Sequence, residues 1–275
     1  MSTAILITGC SSGIGYHCAK SLHQAGYLVV ASCRHDDDVT RLRDEGLHCV
    51  KLDLADSQSI EQGLAEALRI TKGKLDVLFN NGAYGQPGAL EDLPTDALRE
   101  QFETNLFGWH SLTKALIPVM LAQGSGKIVQ NSSVLGLVAM KYRGAYNASK
   151  FALEGYTDTL RLELANTPIH VSLIEPGPIE SQFRANAKRQ FETHIEMTAS
   201  RHKDSYQKTL DRLGKSSPSN QFTLTPEAVL KPLIQIIKSD RPSARYYVTQ
   251  PTYIFGFLRR VLPVRWLDYL LAKSD

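Results

Sequence analysis

The stretch Thr8-Gly9-Cys10-Ser11-Ser12-Gly13-Ile14-Gly15 restricts the fold more than any other part of this chain. It follows a short apolar run, 4–7, that reads as a buried strand, and it opens an amphipathic run, 14–25, that reads as a helix. Gly9 permits a tight turn, Gly13 lets the backbone approach a phosphate, and Gly15 lets the helix lie close to the sheet. The first backbone N–H groups of such a helix, near Ser11, Ser12 and Ile14, are free to bind an anion, helped by the positive end of the helix dipole. The spacing is G-x-x-x-G-x-G, not the commoner G-x-G-x-x-G, so the strand–turn–helix context carries the signal. Gly26 then stops the helix.

The same alternation continues through the first two thirds of the chain, with one more strand after it. Short β-branched or leucine-rich runs at 27–32, 49–52, 75–80, 127–131, 170–174 and 245–248 read as further strands. Longer runs at 57–72, 104–122 and 146–166 read as helices. Strand and helix in turn imply a parallel sheet covered on both faces with right-handed crossovers. The expectation is an α/β fold, a single doubly wound domain over residues 1–275 with a seven-stranded parallel sheet. Residues 183–223 differ: they are polar, charged and end in Gly214, Ser216, Ser217, Pro218 and Ser219. An insertion of that length reads as a partly helical lid. The amphipathic tail 253–275 carries Arg259, Arg260 and Arg265 among aromatics.

Composition excludes several roles. A net charge of +3 and the absence of a basic tract mixed with aromatics argue against nucleic acid. Cys10, Cys18, Cys33 and Cys49 form no C-x-x-C pair and have no histidines at zinc spacing, so no metal site is expected. Reduced thiols and an apolar strand starting by Ala4, with no room for an export signal, point to the cytoplasm. No apolar run approaches the ~18 residues of a membrane span.

The end of the second strand selects the dinucleotide. An acid there would bond a ribose 2′-hydroxyl, whereas an arginine accommodates a 2′-phosphate. Cys33 stands where the acid is expected and Arg34 follows, which favours NADP(H). Asp36, Asp37 and Asp38 form a solvated turn or curl back toward the ribose. Asp53 is positioned to accept from an adenine amino group, with Leu54 packing on the ring. Asp56 or Ser57 caps the next helix. Asn80-Asn81-Gly82-Ala83 closes the fourth strand, serving both turn and cofactor.

Tyr146 and Lys150 stand at i and i+4, which on a helix puts phenol and ammonium on one face. A phenol of pKa ~10 is a poor acid–base group at neutral pH, and a neighbouring cation lowers that value. Ser133, just past the fifth strand, is placed to hold a substrate oxygen. Adjacent Ser132 should point the other way. Asn105 is placed to kink its helix and hold a water that relays protons to Lys150.

Together these motifs resemble the short-chain dehydrogenase/reductase family over residues 3–182. The resemblance implies a Rossmann sheet, a proton-transfer tetrad of Asn105, Ser133, Tyr146 and Lys150, and Lys150 on the nicotinamide ribose. It places Pro176, Gly177 and Ile179 beside the nicotinamide and Ser181 at its carboxamide. Two departures stand out: Gly82-Ala83 reverses the usual order, and the glycine-rich turn lacks a basic residue. After Pro176 the chain resembles the retinol and 17β-hydroxysteroid dehydrogenase branch and bacterial NADP-dependent aldehyde reductases. That implies reduction of an apolar aldehyde or ketone, with Tyr84, Met140, Tyr142 and Phe183 lining the pocket.

The alternatives are a nucleotide sensor without chemistry and a peripheral-membrane retinoid or steroid dehydrogenase. The tail either packs its apolar face on the domain or a second subunit, which is favoured, or touches a membrane surface. Family likeness also implies a homo-oligomer, dimer or tetramer, through the helices from Thr104 and Tyr146.

Overall fold

The computed structural model describes residues 2–214 and 221–273. Seven parallel strands form one sheet: β1 (Ala4–Ile7), β2 (Leu28–Cys33), β3 (His48–Lys51), β4 (Val77–Asn80), β5 (Gly126–Asn131), β6 (Ile169–Glu175) and β7 (Arg245–Tyr247), in the order β3-β2-β1-β4-β5-β6-β7. This is the expected α/β architecture, doubly wound, and its strand order reverses between β1 and β4. Ligands of such sheets bind beyond the carboxyl ends of the strands at that reversal.

The side-chain period of two distributes β1 between two cores. Ile5 and Ile7 join Val29, Ala31 and the inner faces of α1 (Gly13–Gln24), α2 (Asp36–Asp44) and α9 (Glu227–Lys238), through Cys18, Leu22, Leu42, Leu233 and Ile236. Leu6 joins Val30, Leu78, Ile128 and the inner faces of α3 (Ser57–Ile70), α5 (Gly108–Gln123) and α6 (Gly144–Glu163), through Ile60, Leu64, Leu112, Leu116 and Leu153. Asp56 caps α3, accepting from the backbone N–H groups of Gln58 at 2.9 Å and Ser59 at 3.2 Å. Such a cap contributes about 1 kcal/mol. All four cysteines are buried and unpaired.

The helices depart from the sequence pattern in four places. Asp36, Asp37 and Asp38 are neither a loose turn nor folded back; they form the first turn of α2, where carboxylates suit the positive helix end. α4 (Thr95–Phe102) and α9 are not among the expected helices, although Val229, Leu230, Leu233, Ile236 and Ile237 of α9 fall at helical spacing. The expected helix 104–122 begins as a π-helical turn, Glu103–Phe107, before α5. The polar segment after Phe183 folds into α7 (Phe183–His194) and α8 (Lys203–Gly214). The rest of the expected lid, including Ser216, Ser217, Pro218 and Ser219, lies outside the described residues apart from 221–223.

The α7–α8 segment is fastened to the domain through Tyr206, which is buried with Phe191, Ile195 and Ala89. Its hydroxyl accepts from the Ala89 N–H at 3.0 Å and donates to Asp92. The tail forms α10 (Gln250–Val261) and α11 (Val264–Lys273). Their inner residues Phe255, Leu267 and Leu271 pack on Val134, Leu135 and Val138, and Arg259 donates to the Leu137 carbonyl at 2.7 Å. Among the described residues no helix is long and apolar enough to cross a membrane.

Candidate active site

The glycine-rich turn is stitched to the end of β4 at the strand-order reversal. Thr8 Oγ1 accepts from the backbone N–H groups of Asn81 and Gly82, both at 2.9 Å, and Asn81 Nδ2 donates to the Thr8 carbonyl at 3.0 Å. Asn131, ending β5, donates to Asn81 Oδ1 at 2.9 Å. Gly9 has φ +69°, and a Cβ there would lie 2.4 Å from Gly82 Cα, so both glycines are needed where the two backbones meet. The reversed Gly82-Ala83 order thus keeps its glycine at the point of contact.

The groove above α1 suits an anionic group. Ser12 precedes the helix without a side-chain cap, and the first turn holds no acid, which leaves the positive helix end to a ligand. Gly13, at φ +57°, faces Ser181: a Cβ there would stand 2.9 Å from the Ser181 Cβ. The residues present therefore fit a dinucleotide phosphate. Ser181 borders this turn, its Oγ accepting from the Phe183 N–H at 3.3 Å. Just upstream, the Pro176 carbonyl accepts from Val134 N–H at 2.8 Å, and Ile179 bridges to Leu224. A Cβ on Gly177 would lie 2.1 Å from Thr249 Oγ1.

At the adenosine end, Cys33 is buried and Arg34 is exposed, donating to His35 at 3.1 Å and making no ion pair among the described residues. Asp53 accepts from the Ala55 N–H at 3.0 Å, and its own N–H donates to Ser59 Oγ at 2.9 Å. Leu54 differs from expectation. It is buried against Gly82 and Gly108 and so belongs to the core beneath the groove, not to an open shelf for a ring. Sequence reasoning missed Arg41, whose Nη2 donates to the Ser11 carbonyl at 2.7 Å while pairing with Asp38 at 2.9 Å.

The proton-transfer residues converge beyond β5. Tyr146 and Lys150 lie one turn apart on α6, with the Lys150 Nζ 5.7 Å from the phenol ring centre and 4.5 Å from the Trp109 ring centre. Lys150 is buried, and its Nζ donates to the Asn131 carbonyl at 2.8 Å. Ser133 opens a short 3₁₀ turn, Val134–Gly136, accepting from the Leu135 N–H at 3.1 Å, and its hydroxyl draws the Tyr146 phenol downward. Ser132 points elsewhere, as expected, and donates to Glu154.

Electrostatics correct the expected pairing of phenol and ammonium. Burial pushes the Tyr146 phenol up to about 12, against the smaller pull of Ser133 and Arg143, and burial pushes the Lys150 ammonium down to about 7. A low-dielectric surrounding disfavours each charged form. Burial therefore outweighs every downward pull on the phenol.

Asn105 sits buried in the π-turn, donating to the Tyr84 carbonyl at 2.9 Å and Ser149 Oγ at 3.2 Å and accepting from the Tyr84 N–H at 3.2 Å. Its amide therefore braces the 80–85 segment and α6. π-turns of this kind often mark functional positions. Burial pushes the Tyr84 phenol up to about 12, with Arg34 pulling it back.

Phe183 meets Tyr146 edge to face with ring centres 5.2 Å apart, and both approach Gly85. Met140 packs in the same cluster as Tyr146. Tyr142, expected beside them, instead packs its ring on His202 and Tyr206, at 5.3 and 5.7 Å between centres, and braces the α7–α8 segment. A partly buried ion cluster joins α6 to β6 and β7. Arg245 pairs with Glu154, with Glu175 at 2.5 Å and with Asp158 at 2.7 Å. No sequence spacing signals it, because its members come from α6, β6 and β7. Among the described residues no cluster could hold a metal ion.

Known proteins share this organisation. The chain is 40% identical over 271 residues to the uncharacterised oxidoreductase YbbO of Escherichia coli K12, covering 98% of this chain and 94% of that one. It is 34% identical over 256 residues to human retinol dehydrogenase 8, covering 88% and 79%. A short chain dehydrogenase/reductase from Burkholderia phymatum, solved in complex with NAD, superposes with a TM-score of 0.79 at 25% identity, covering 98% of this chain and 95% of that chain. The short chain dehydrogenase family model matches residues 3–192, the span that holds the glycine-rich turn and the Tyr146–Lys150 helix. Sequence, fold and strand order therefore agree that the chain belongs to the short-chain dehydrogenase family of NAD(P)-binding oxidoreductases.

Proposed function

We propose that this protein is an NADP(H)-dependent reductase of apolar aldehydes or ketones, working reversibly on the alcohol. The observation that carries this reading is the convergence of Tyr146, Ser133 and Lys150 beyond the carboxyl end of β5, beside a groove suited to a dinucleotide. When bound, the dinucleotide supplies the hydride and, once oxidised, a positive ring.

The chain's own residues handle the proton. With its value raised to about 12, Tyr146 is protonated at neutral pH, which is the form that donates to a carbonyl oxygen. The Ser133 hydroxyl, which acts on the phenol, orients that oxygen. Lys150, lowered to about 7, can hold or release a proton near neutrality and thus restore the phenol. Asn105 positions Tyr84 and Ser149 around this path. Phe183, Met140 and Tyr84 supply the apolar wall. Held geometry of this kind contributes much of a rate enhancement.

The preference for NADP(H) rests on Arg34, exposed and without an ion pair among the described residues just past buried Cys33. A guanidinium in that position suits a 2′-phosphate. Residues 1–275 are read as one domain. The exposed flanks of α5 and α6, with Leu121 and Leu162, are the surface for pairing with further copies. Buried, unpaired cysteines fit the cytoplasm. The test is NADPH consumption screened over aldehydes, ketones and steroids. Turnover of at least one apolar carbonyl supports the reading; none, with NADPH bound, would turn it toward a nucleotide sensor.

A further inference from the structure

The last two helices of the described chain have two apolar faces. The inner face, through Phe255, Leu267 and Leu271, packs on Val134, Leu135, Val138 and Met140 in the cluster that also holds Tyr146. These helices are therefore a wall of the candidate active site. The outer face carries Tyr253, Ile254, Phe257 and Val261 on α10 and Val264, Trp266, Tyr269 and Leu270 on α11, all exposed, with Val264 at 73% and Trp266 at 66%. Thirteen large hydrophobics are exposed among the described residues, and eight of them stand here. A patch so concentrated marks an interaction surface.

Charge decides what covers it. Arg260, Arg265 and Lys273 are exposed around the patch, and Asp268 is the sole acid between 253 and 273. A second copy docked about a twofold axis would set these cations against themselves, since such an interface uses the same patch on both subunits. An anionic bilayer complements them. Aromatic residues with a polar edge, here Trp266, Tyr253 and Tyr269, favour the headgroup level. We infer that the outer face of α10 and α11 lies on the surface of an anionic membrane, so that the wall of the active site rests at the bilayer. An apolar carbonyl compound dissolved in that bilayer would then reach Tyr146 along the inner face of the same helices.

The binding part of this inference is tested without any turnover, so its outcome is separate from that of the proposed reductase activity. The full-length protein is mixed with vesicles of phosphatidylcholine alone, or of phosphatidylcholine with about one-third phosphatidylglycerol, and sedimented. Binding to the anionic vesicles, weakened by added salt, is expected. Trp109 is fully buried, so a blue shift in tryptophan emission on binding reports Trp266, the other tryptophan of the chain. A Phe257→Ser, Trp266→Ser double variant should bind more than about tenfold more weakly with an unchanged melting temperature. The inference fails if the protein stays in the supernatant with both vesicle types, or if neutral and anionic vesicles bind it equally. It also fails if the double variant splits an oligomer in sedimentation velocity, which would assign the face to a second copy.

Discussion

The Nζ of Lys150 stands 4.5 Å from the centre of the Trp109 indole, and that indole donates through its own Nε1 to the Gly82 carbonyl at 2.8 Å. One aromatic side chain thus ties the buried ammonium to the turn at the strand-order reversal. A cation held by ring faces and a single carbonyl keeps a weaker hold on its proton than one in water.

Replacing Tyr146 by Phe removes the hydroxyl that donates to the substrate and keeps the ring that packs on Phe183. Turnover should fall by about 10²–10⁴-fold, the usual share of a general acid. NADPH affinity, measured by fluorescence titration, should stay close to that of the parent protein. Comparable turnover in the variant would falsify the assignment of Tyr146 as proton donor.

The lowered Lys150 value has a consequence for stability. Between about pH 7 and about pH 10.4, where an unfolded lysine still holds its proton, the folded protein has released it. The unfolded state then binds more protons, and stability gains with rising pH over that window. A Lys150→Met variant lacks this dependence. Melting temperatures of the two proteins should therefore shift in favour of the parent as pH rises from 7 to about 10. A constant difference across the series counts against a depressed lysine.

Arg34→Ala should weaken NADPH binding by about 10- to 100-fold, since a charge-assisted hydrogen bond contributes about 1.5–3 kcal/mol. NADH should be affected by less than about twofold, because its ribose offers no phosphate to the guanidinium. Equal losses for both would move the preference for NADP(H) to another residue, with Arg41 beside Ser11 the first to examine.

Gly9→Ala places a methyl 2.4 Å from Gly82 Cα on a backbone at φ +69°. Left-handed strain alone costs about 1–3 kcal/mol, and the contact with Gly82 adds to it. The variant should melt at lower temperature and lose dinucleotide binding together. Gly124→Ala, in open space at φ +73°, is the control: it should lose stability with dinucleotide binding unchanged.

Tyr206→Phe leaves the Ala89 N–H without its acceptor in a buried setting. An orphaned buried donor costs about 1–3 kcal/mol. Helices α7 and α8 should exchange amide hydrogens faster than in the parent, while the sheet stays protected. Unchanged exchange in α7 and α8 would show that apolar packing alone holds them.

Local patterns carried much of this protein. Glycine spacing after a strand, Arg34 after Cys33, the i and i+4 placement of Tyr146 and Lys150, and the alternation that yields seven parallel strands are all relations between near neighbours, and backbone geometry turns each into a definite shape. The helices α2, α4 and α9 were not legible in the same way. α2 is short and highly charged and α4 is only eight residues, so packing, of α2 on the sheet and of α4 on α6, outweighs weak propensity there; in α9 a proline interrupts a run whose Val229, Leu230, Leu233, Ile236 and Ile237 do fall at helical spacing.

What only the tertiary structure decided concerns environment. Spacing put a phenol and an ammonium on one helix face; packing put both under α5 and the 131–138 segment, where desolvation raises one and lowers the other. Leu54 went to the core and Tyr142 to the α7–α8 segment because partners distant in sequence compete for each apolar surface. Arg245 meets Glu154 and Glu175 only because β7 is laid beside β6. Sequence neighbours set which groups share a face, while dielectric and charge depend on every group that folding brings near.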